Sequence, residues 1–595
     1  MDKLDPLSEY LSRLEFWHKE ASRDQQTFIL LGNIRLAVVA VAALLGWLAL
    51  RGTVSGWTLL IPLFTFVGLI IYHERVARRQ QFAQRGIAYY DRGVARLDDK
   101  WAGTGNSGGR FEDAVHVYSS DLDLFGRGSL FELVSVARTA EGEQCLADWL
   151  LEAAPAEEVH ARQAAVADLR GRSELREEIA LLGDDIRAGV HAAELAEWGA
   201  AEPVKFPPGA RWIAFLLSVY NLGAFIAFMG HGLSARVLLS GILITLVYRF
   251  TLRTPVRQVV GSVDTAANDL QILALLLGRL EQEQFTAPRL KDLRGALNIA
   301  GLPASKRIAR LRRWMELHDS YDHLLLRMIG PALLWREQVA MGIEGWRQQT
   351  GPRVAGWIKA VAELEALNSL AALAFERPDW TVPELLEDGP LFEGEGVRHP
   401  LMNPSRCIPN DVKIGDETRL LIVSGSNMSG KSTLLRAVGL NTVLAWAGGP
   451  VAAKRLRVSP IAVAASMRVV DSLQDGKSRF YAEITRLRQV VVLSTGARPV
   501  LFLLDELLSG TNSHDRRIGA EAVVRGLVER GAIGFMTTHD LALTQIVSTM
   551  DEHAVNVHFE DHLVDGRITF DYKMRPGVVE RSNALELMRA VGLDV

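Results

Sequence analysis

The chain has 595 residues, with 66 Lys and Arg against 70 Asp and Glu, a formal charge of −4. That balance excludes attachment to nucleic acid or anionic lipid by bulk charge and leaves only local basic stripes for such work. Two cysteines, Cys145 and Cys407, exclude a disulfide scaffold or a cysteine-rich zinc site, and 51 Gly with 21 Pro exclude a collagen-like or Pro/Gly-rich disordered chain.

Apolar residues are unevenly spread. Residues 28–50 are interrupted only by Arg35, and residues 52–72 carry no charge. Each run is long enough to cross a hydrocarbon core of about 30 Å as a helix, and the short joint at 51–56 makes them a hairpin. A second pair, 212–230 and 237–248, is joined by 231–236, and its last run is the shortest of the four. Lys19, Arg23, Arg75, Arg78 and Arg79 flank the first hairpin; Lys205, Arg211, Arg249, Arg253 and Arg257 flank the second. The excess of positive charge at these ends predicts a multi-pass protein of the inner (cytoplasmic) membrane, with both termini in the cytoplasm. The opening MDKLDPLSEY is too polar for a cleaved signal peptide.

In the middle of the chain, Val263, Ala267, Leu270, Leu273, Leu277 and Leu280 recur at three- and four-residue spacing. They predict an amphipathic helix packed on a neighbour. Lys306, Arg307, Arg310, Arg312 and Arg313 follow Pro303 as a basic run, read either as a solvated helix face or as phosphate contacts.

Residues 419–424 (RLLIVS) have strand character and lead into Gly425-Ser426-Asn427-Met428-Ser429-Gly430-Lys431-Ser432-Thr433, with a helical pattern after it. This is the phosphate-binding G-x-x-x-x-G-K-[ST] loop in its required context. Its glycines let backbone N–H groups approach phosphates at a helix N-terminus. Lys431 is expected on the β/γ-phosphates of ATP and Ser432 on Mg²⁺. Downstream, PVLFLLDE (499–506) predicts a buried parallel strand ending in Asp505, suited to Mg²⁺, and Glu506, suited to orienting the attacking water. AIGFMTT (532–538) predicts a third strand that delivers His539 to the γ-phosphate. Glu506, His539 and Lys431 are the expected catalytic residues, at the C-terminal edge of a parallel α/β sheet.

The loop resembles the G-P-N-M-x-G-K-S-T loop of the MutS family, with Asn427 and Met428 as the distinctive pair. Ser509-Gly-Thr-Asn-Ser-His-Asp515 resembles that family's G-T-S/N-x-x-D loop, Thr537-Thr-His-Asp540 its T-H switch, and Ser478, Phe480 and Glu483 its S-x-F-x-x-E signature. Residues 122–169 are similar to the opening of the MutS core, and 360–374 to the helix returning from lever to ATPase. The resemblance implies an α/β P-loop ATPase domain with an ABC/MutS-type parallel sheet, C-terminal to an all-α core and lever region. It also implies ATP and Mg²⁺ as cofactors and a homodimer in which Ser478 reaches the partner's γ-phosphate. DNA is the family's partner, and membrane lipid is added by the hairpins. Cys407 stands where many members stack an aromatic ring on adenine, and residues 1–100 offer no counterpart of a mismatch-reading domain or its F-x-E wedge.

The expected divisions are 1–81 with the first hairpin, 82–206 as helical core, 207–257 as the second hairpin, 258–385 as lever, and 386–595 as ATPase. Two other readings compete with a membrane-anchored MutS-like ATPase. An ABC-type half-transporter lacks support because no L-S-G-G-Q signature is present and four spans in separated hairpins make a poor translocation path. A nucleotide-controlled membrane scaffold without a DNA role is the other competing reading, and the same residues allow it.

Overall fold

A computed structural model describes residues 5–579 apart from 233, 300, 323, 427, 468–478, 565 and 566. The four apolar runs lie on helices α1 (Pro6–Leu50), α2 (Leu60–Leu97), α3 (Ala210–His231) and α4 (Ala235–Gln282). All four are long and apolar enough to cross a membrane, with best-window mean hydropathies of 2.3, 1.6, 1.9 and 1.6. Those windows are mostly unburied, so the fold itself supplies little apolar cover for them. Helix α4 continues unbroken through Pro255, so the boundary expected between 257 and 258 falls inside one 48-residue helix. Further on come α5 (Ala304–Asp319), α6 (Trp335–Glu376), α7 (Lys431–Ala447), α8 (Arg479–Leu493) and α9 (Ser513–Glu529).

The chain forms two compact units, each discontinuous in sequence. One comprises 1–135, 147–177 and 369–595; the other comprises 136–146 and 178–368.

In the first unit, α1 and α2 approach closely because Gly86 and Gly93 face Trp17 and Tyr10. A Cβ on either glycine would stand 2.5 Å from those rings. The root of this hairpin is held by two buried carboxylates. Arg13 meets Glu177 in a forked pair at 2.7–2.9 Å, and Tyr90 donates to the same carboxylate. Arg96 Nε and Tyr10 OH donate to Glu376 at 2.6 and 3.0 Å.

The same unit carries two sheets. Their strands in chain order are β1 (Glu384–Leu385), β2 (Leu391–Val397), β3 (Asn410–Gly415), β4 (Leu420–Ser424), β5 (Arg455–Val458), β6 (Ala462–Ser466), β7 (Val500–Leu504), β8 (Ile533–Thr538), β9 (Ala554–Val564) and β10 (Arg567–Pro576). The larger sheet has the order β10-β9-β4-β8-β7-β6. Strands β9, β4, β8, β7 and β6 run parallel and β10 closes one edge antiparallel. Every residue of β4, β7 and β8 is buried, which is why these strands read as continuous apolar runs rather than alternating ones. The smaller sheet has the order β1-β5-β2-β3.

In the second unit, Val263, Leu270, Leu273, Leu277 and Leu280 of α4 are buried, with Ala267 half-buried beside buried Ala266. Helix α5 lies against α4 through Ile308 and Leu311, turning Lys306, Arg310, Arg312 and Arg313 outward. The segment 330–334 is seated on the middle of the α3–α4 hairpin. Asn221 of α3 donates to Thr245 of α4 at 2.7 Å and to the Ala332 carbonyl at 2.8 Å, and Ser218 donates to the Leu333 carbonyl at 2.6 Å.

Candidate nucleotide site

The register of the larger sheet decides what meets what. Val423 pairs with Thr537 and Leu504 with Met536, so β4, β7 and β8 all end at one level. Gly425, Asp505, Glu506 and His539 follow directly from those ends. The loop after β4 turns tightly. Gly425 has φ 146° and Gly430 φ 106°, and a Cβ on Gly425 would press on Ser429 Oγ at 2.9 Å and the Phe559 carbonyl at 3.0 Å. Glycine is needed at both. Helix α7 then starts at Lys431.

Lys431 is buried, and its ammonium donates to the carbonyls of Gly425 and Ser426, both at 2.8 Å. Burial pulls its pKa down, opposed by the charges of Glu506 and Asp505. The hydroxyls of Ser426 and Ser429 are buried, with no hydrogen-bond partner among the described residues. Ser432 is half-buried; Thr433 and Met428 are exposed, Met428 at φ 70°. Asn427 lies outside the described residues.

Asp505 and Glu506 stand just past β7 rather than within it. Thr537, fully buried on β8, donates its hydroxyl to Asp505 Oδ1 and accepts from the Glu506 N–H at 3.0 Å. Glu506 adopts φ 47°, a left-handed backbone that non-glycine residues reach at a cost of about 1–3 kcal/mol. Its carboxylate lies 3.2 Å from His539 Nδ1. The following loop is fixed from two sides: Glu483 of α8 accepts from the Leu508 N–H, and Arg516 of α9 donates to the Leu507 carbonyl at 2.9 Å. Asn512 caps α9 by accepting from Asp515 N at 2.9 Å. The signature Ser478 lies outside the described residues; Phe480 and Glu483 follow it on α8.

A cavity of about 500 Å³ adjoins the loop, lined among others by His399, Cys407, Met428, Gly430, Phe559 and Tyr572. Cys407 is buried and its sulfur accepts from the His399 N–H at 3.3 Å. Burial raises the Cys407 thiol pKa and, helped by nearby Arg436, drops that of His399 to about 4. Tyr572 is the residue that motif reading missed. Its ring carbon lies 3.2 Å from where a Gly430 Cβ would stand, and Asn410 fastens its strand through the Tyr572 carbonyl (2.9 Å) and the Met574 N–H (2.8 Å). Thr537 was visible only as part of a four-residue resemblance, because its role depends on the β4–β8–β7 register.

Residues 421–594 match the family model described as MutS domain V. The DNA mismatch repair protein MutS of Lactococcus lactis subsp. cremoris (strain SK11) is 30% identical over 260 residues, covering 42% of this chain and 30% of that protein. The DNA mismatch repair protein MutS 2 of Halobacterium salinarum is 33% identical over 261 residues, covering 43% and 29%. MutS of Natronomonas pharaonis is 34% identical over 263 residues, with the same coverage. The matched part therefore spans less than a third of each relative's length. Residues 421–594 are thus similar to MutS domain V, and they follow a largely helical N-terminal region in the sequence.

Proposed function

We propose that this protein is a membrane-anchored ATPase that hydrolyses ATP at composite sites of a homodimer and uses the cycle to move its helical region. The observation that carries this reading is the convergence of Lys431, Asp505, Glu506 and His539 at one edge of the parallel sheet. Lys431 exchanges its two carbonyl partners for the β/γ-phosphates, and the N–H groups at the start of α7 face the same oxygens. The buried Ser426 and Ser429 hydroxyls, without a partner among the described residues, supply further donors. Tyr572 and Phe559 offer apolar cover for the base in place of the aromatic ring absent at Cys407.

Mg²⁺ suits the donor set. No cluster of three His, Cys, Asp or Glu side chains exists among the described residues, and Mg²⁺ characteristically takes one or two protein oxygens with phosphates and water completing the shell. Ser432 and Asp505 would hold it, and when bound it neutralises charge on the phosphates. Glu506, strained and tied to Thr537, orients the attacking water; His539 shares its carboxylate and faces the γ-phosphate.

Membrane anchoring is supported by the four exposed apolar helices and the arginines at their ends. The relatives' names bring DNA as a candidate partner. That reading is supported by Lys306, Arg310 and Arg313, which stand exposed on α5 without a carboxylate partner among the described residues. Contact of this kind is salt-sensitive and indifferent to sequence, so matched and single-mismatch duplexes should bind equally. The test of the ATPase reading is nucleotide binding by purified variants: Glu506→Gln keeps ATP, whereas Lys431→Ala loses it. Equal ATP retention by the Lys431 variant and the wild type would refute the assignment.

A further inference from the structure

The second unit contains a cavity of about 550 Å³ between α4 and the start of α6. Arg249, Arg253 and Arg257 line it from α4; a four-residue repeat puts them on one helix face. Arg336 lines it from α6. Glu337, the single carboxylate among the described lining residues, is buried and engaged by Arg249 at 2.8 Å. Among the described residues, exposed Arg253 and Arg257 have no carboxylate partner and buried Arg336 Nε has no hydrogen-bond partner. The described lining thus gathers four guanidinium groups against one carboxylate and calls for an anion.

The remaining lining says which anion. Leu246 and Phe250 border the arginines, and Phe250 is 74% exposed. The charge-free run that ends at Tyr248 begins at Val237, so it covers only about 18 Å at 1.5 Å per residue. A hydrocarbon core of about 30 Å therefore leaves the arginine face at the depth where lipid phosphates are drawn inward rather than in bulk water. An anion with an apolar body fits this arrangement, whereas a nucleic acid backbone would have to displace lipid from Leu246 and Phe250.

We propose that this cavity is a binding site for an anionic phospholipid, with the phosphate among Arg253, Arg257 and Arg336 and the acyl chains along Leu246 and Phe250. Basic pockets on the cytoplasmic side of membrane helices hold acidic headgroups in this way. The inference rests on the second hairpin being membrane-spanning.

The test is native mass spectrometry of the full-length protein in detergent, exchanged against phosphatidylglycerol or phosphatidylcholine. The wild type should retain phosphatidylglycerol at least about tenfold better, a difference of about 1.4 kcal/mol. The triple variant Arg253→Gln, Arg257→Gln, Arg336→Gln should lose that preference, and the triple Lys variant should keep most of it. Equal retention of both lipids by the wild type overturns the site without any variant being needed. Release of phosphatidylglycerol by excess inorganic phosphate would mark a free-phosphate site, and a triple variant that loses duplex DNA but not lipid would mark a nucleic-acid surface; either overturns the proposal. Carbonate washing separates the two levels. Protein that leaves the membrane refutes the spanning hairpin, while protein that stays but shows no lipid preference refutes only the lipid site.

Discussion

Thr537→Val isolates the geometry of the nucleotide site with little change of shape. The hydroxyl is fully buried and does two things: it donates to Asp505 Oδ1 and accepts from the Glu506 N–H. Valine removes both. A hydrogen bond to a charged group is worth about 1.5–3 kcal/mol, and a buried N–H left unpaired costs about 1–3 kcal/mol. Glu506 also loses the tie that holds it at φ 47°. If the carboxylate bond alone is felt in the transition state, kcat falls about 10- to 150-fold. Binding should change little, because Lys431 and the glycine loop keep their contacts, so KM should stay within about threefold. Phosphate release by the full-length protein at saturating ATP gives both quantities, and Thr537→Ser should restore kcat to within about threefold of wild type. A Val variant within about twofold of wild type, or a Ser variant no better than Val, would refute the idea that Thr537 positions the two acids.

Three further outcomes follow from other parts of the molecule. Glu376→Ala strands buried Arg96 at the root of the first hairpin; breaking such a pair costs about 3–5 kcal/mol, and a markedly lower thermal midpoint than for Glu376→Asp is the expected reading. His399 is held neutral, with a folded pKa of about 4 against about 6.5 unfolded. The stability it contributes is therefore complete above about pH 6.5 and declines by roughly 3 kcal/mol as pH falls toward 4; thermal midpoints measured from pH 7 to 4.5 should show this slope in the wild type and less of it in His399→Gln. For the dimer, Ser478→Ala and Lys431→Ala proteins should each be nearly inactive and regain part of the activity when mixed; no recovery in a mixture shown to form heterodimers would contradict composite sites.

The strands of the candidate nucleotide site were legible because each is a short apolar run ending in a motif, as a strand buried on both faces of a parallel sheet requires. The overshoot at Asp505 and Glu506 was not legible: both were expected to end the strand, yet β7 stops at Leu504 and Glu506 turns left-handed. Contacts distant in sequence also left no signal, such as Arg13 with Glu177 or Asn410 with Tyr572, since each residue alone reads as ordinary surface. The seat of 330–334 on Asn221 and Ser218 was missed for the same reason, and Pro255, which argues for a helix end, sits inside a continuous α4. Asn427 and Ser478, two of the motif positions that carried the family resemblance, lie outside the described residues.

The central claim joins catalysis to the membrane, and one preparation tests both. Carbonate-washed membranes carrying the full-length protein should hydrolyse ATP, and membranes carrying equal amounts of Glu506→Gln should fall at least about a hundredfold below them, the loss expected when only the water-orienting group is removed. Undiminished hydrolysis by the Glu506 variant, or recovery of the wild-type activity in the wash, would contradict the account.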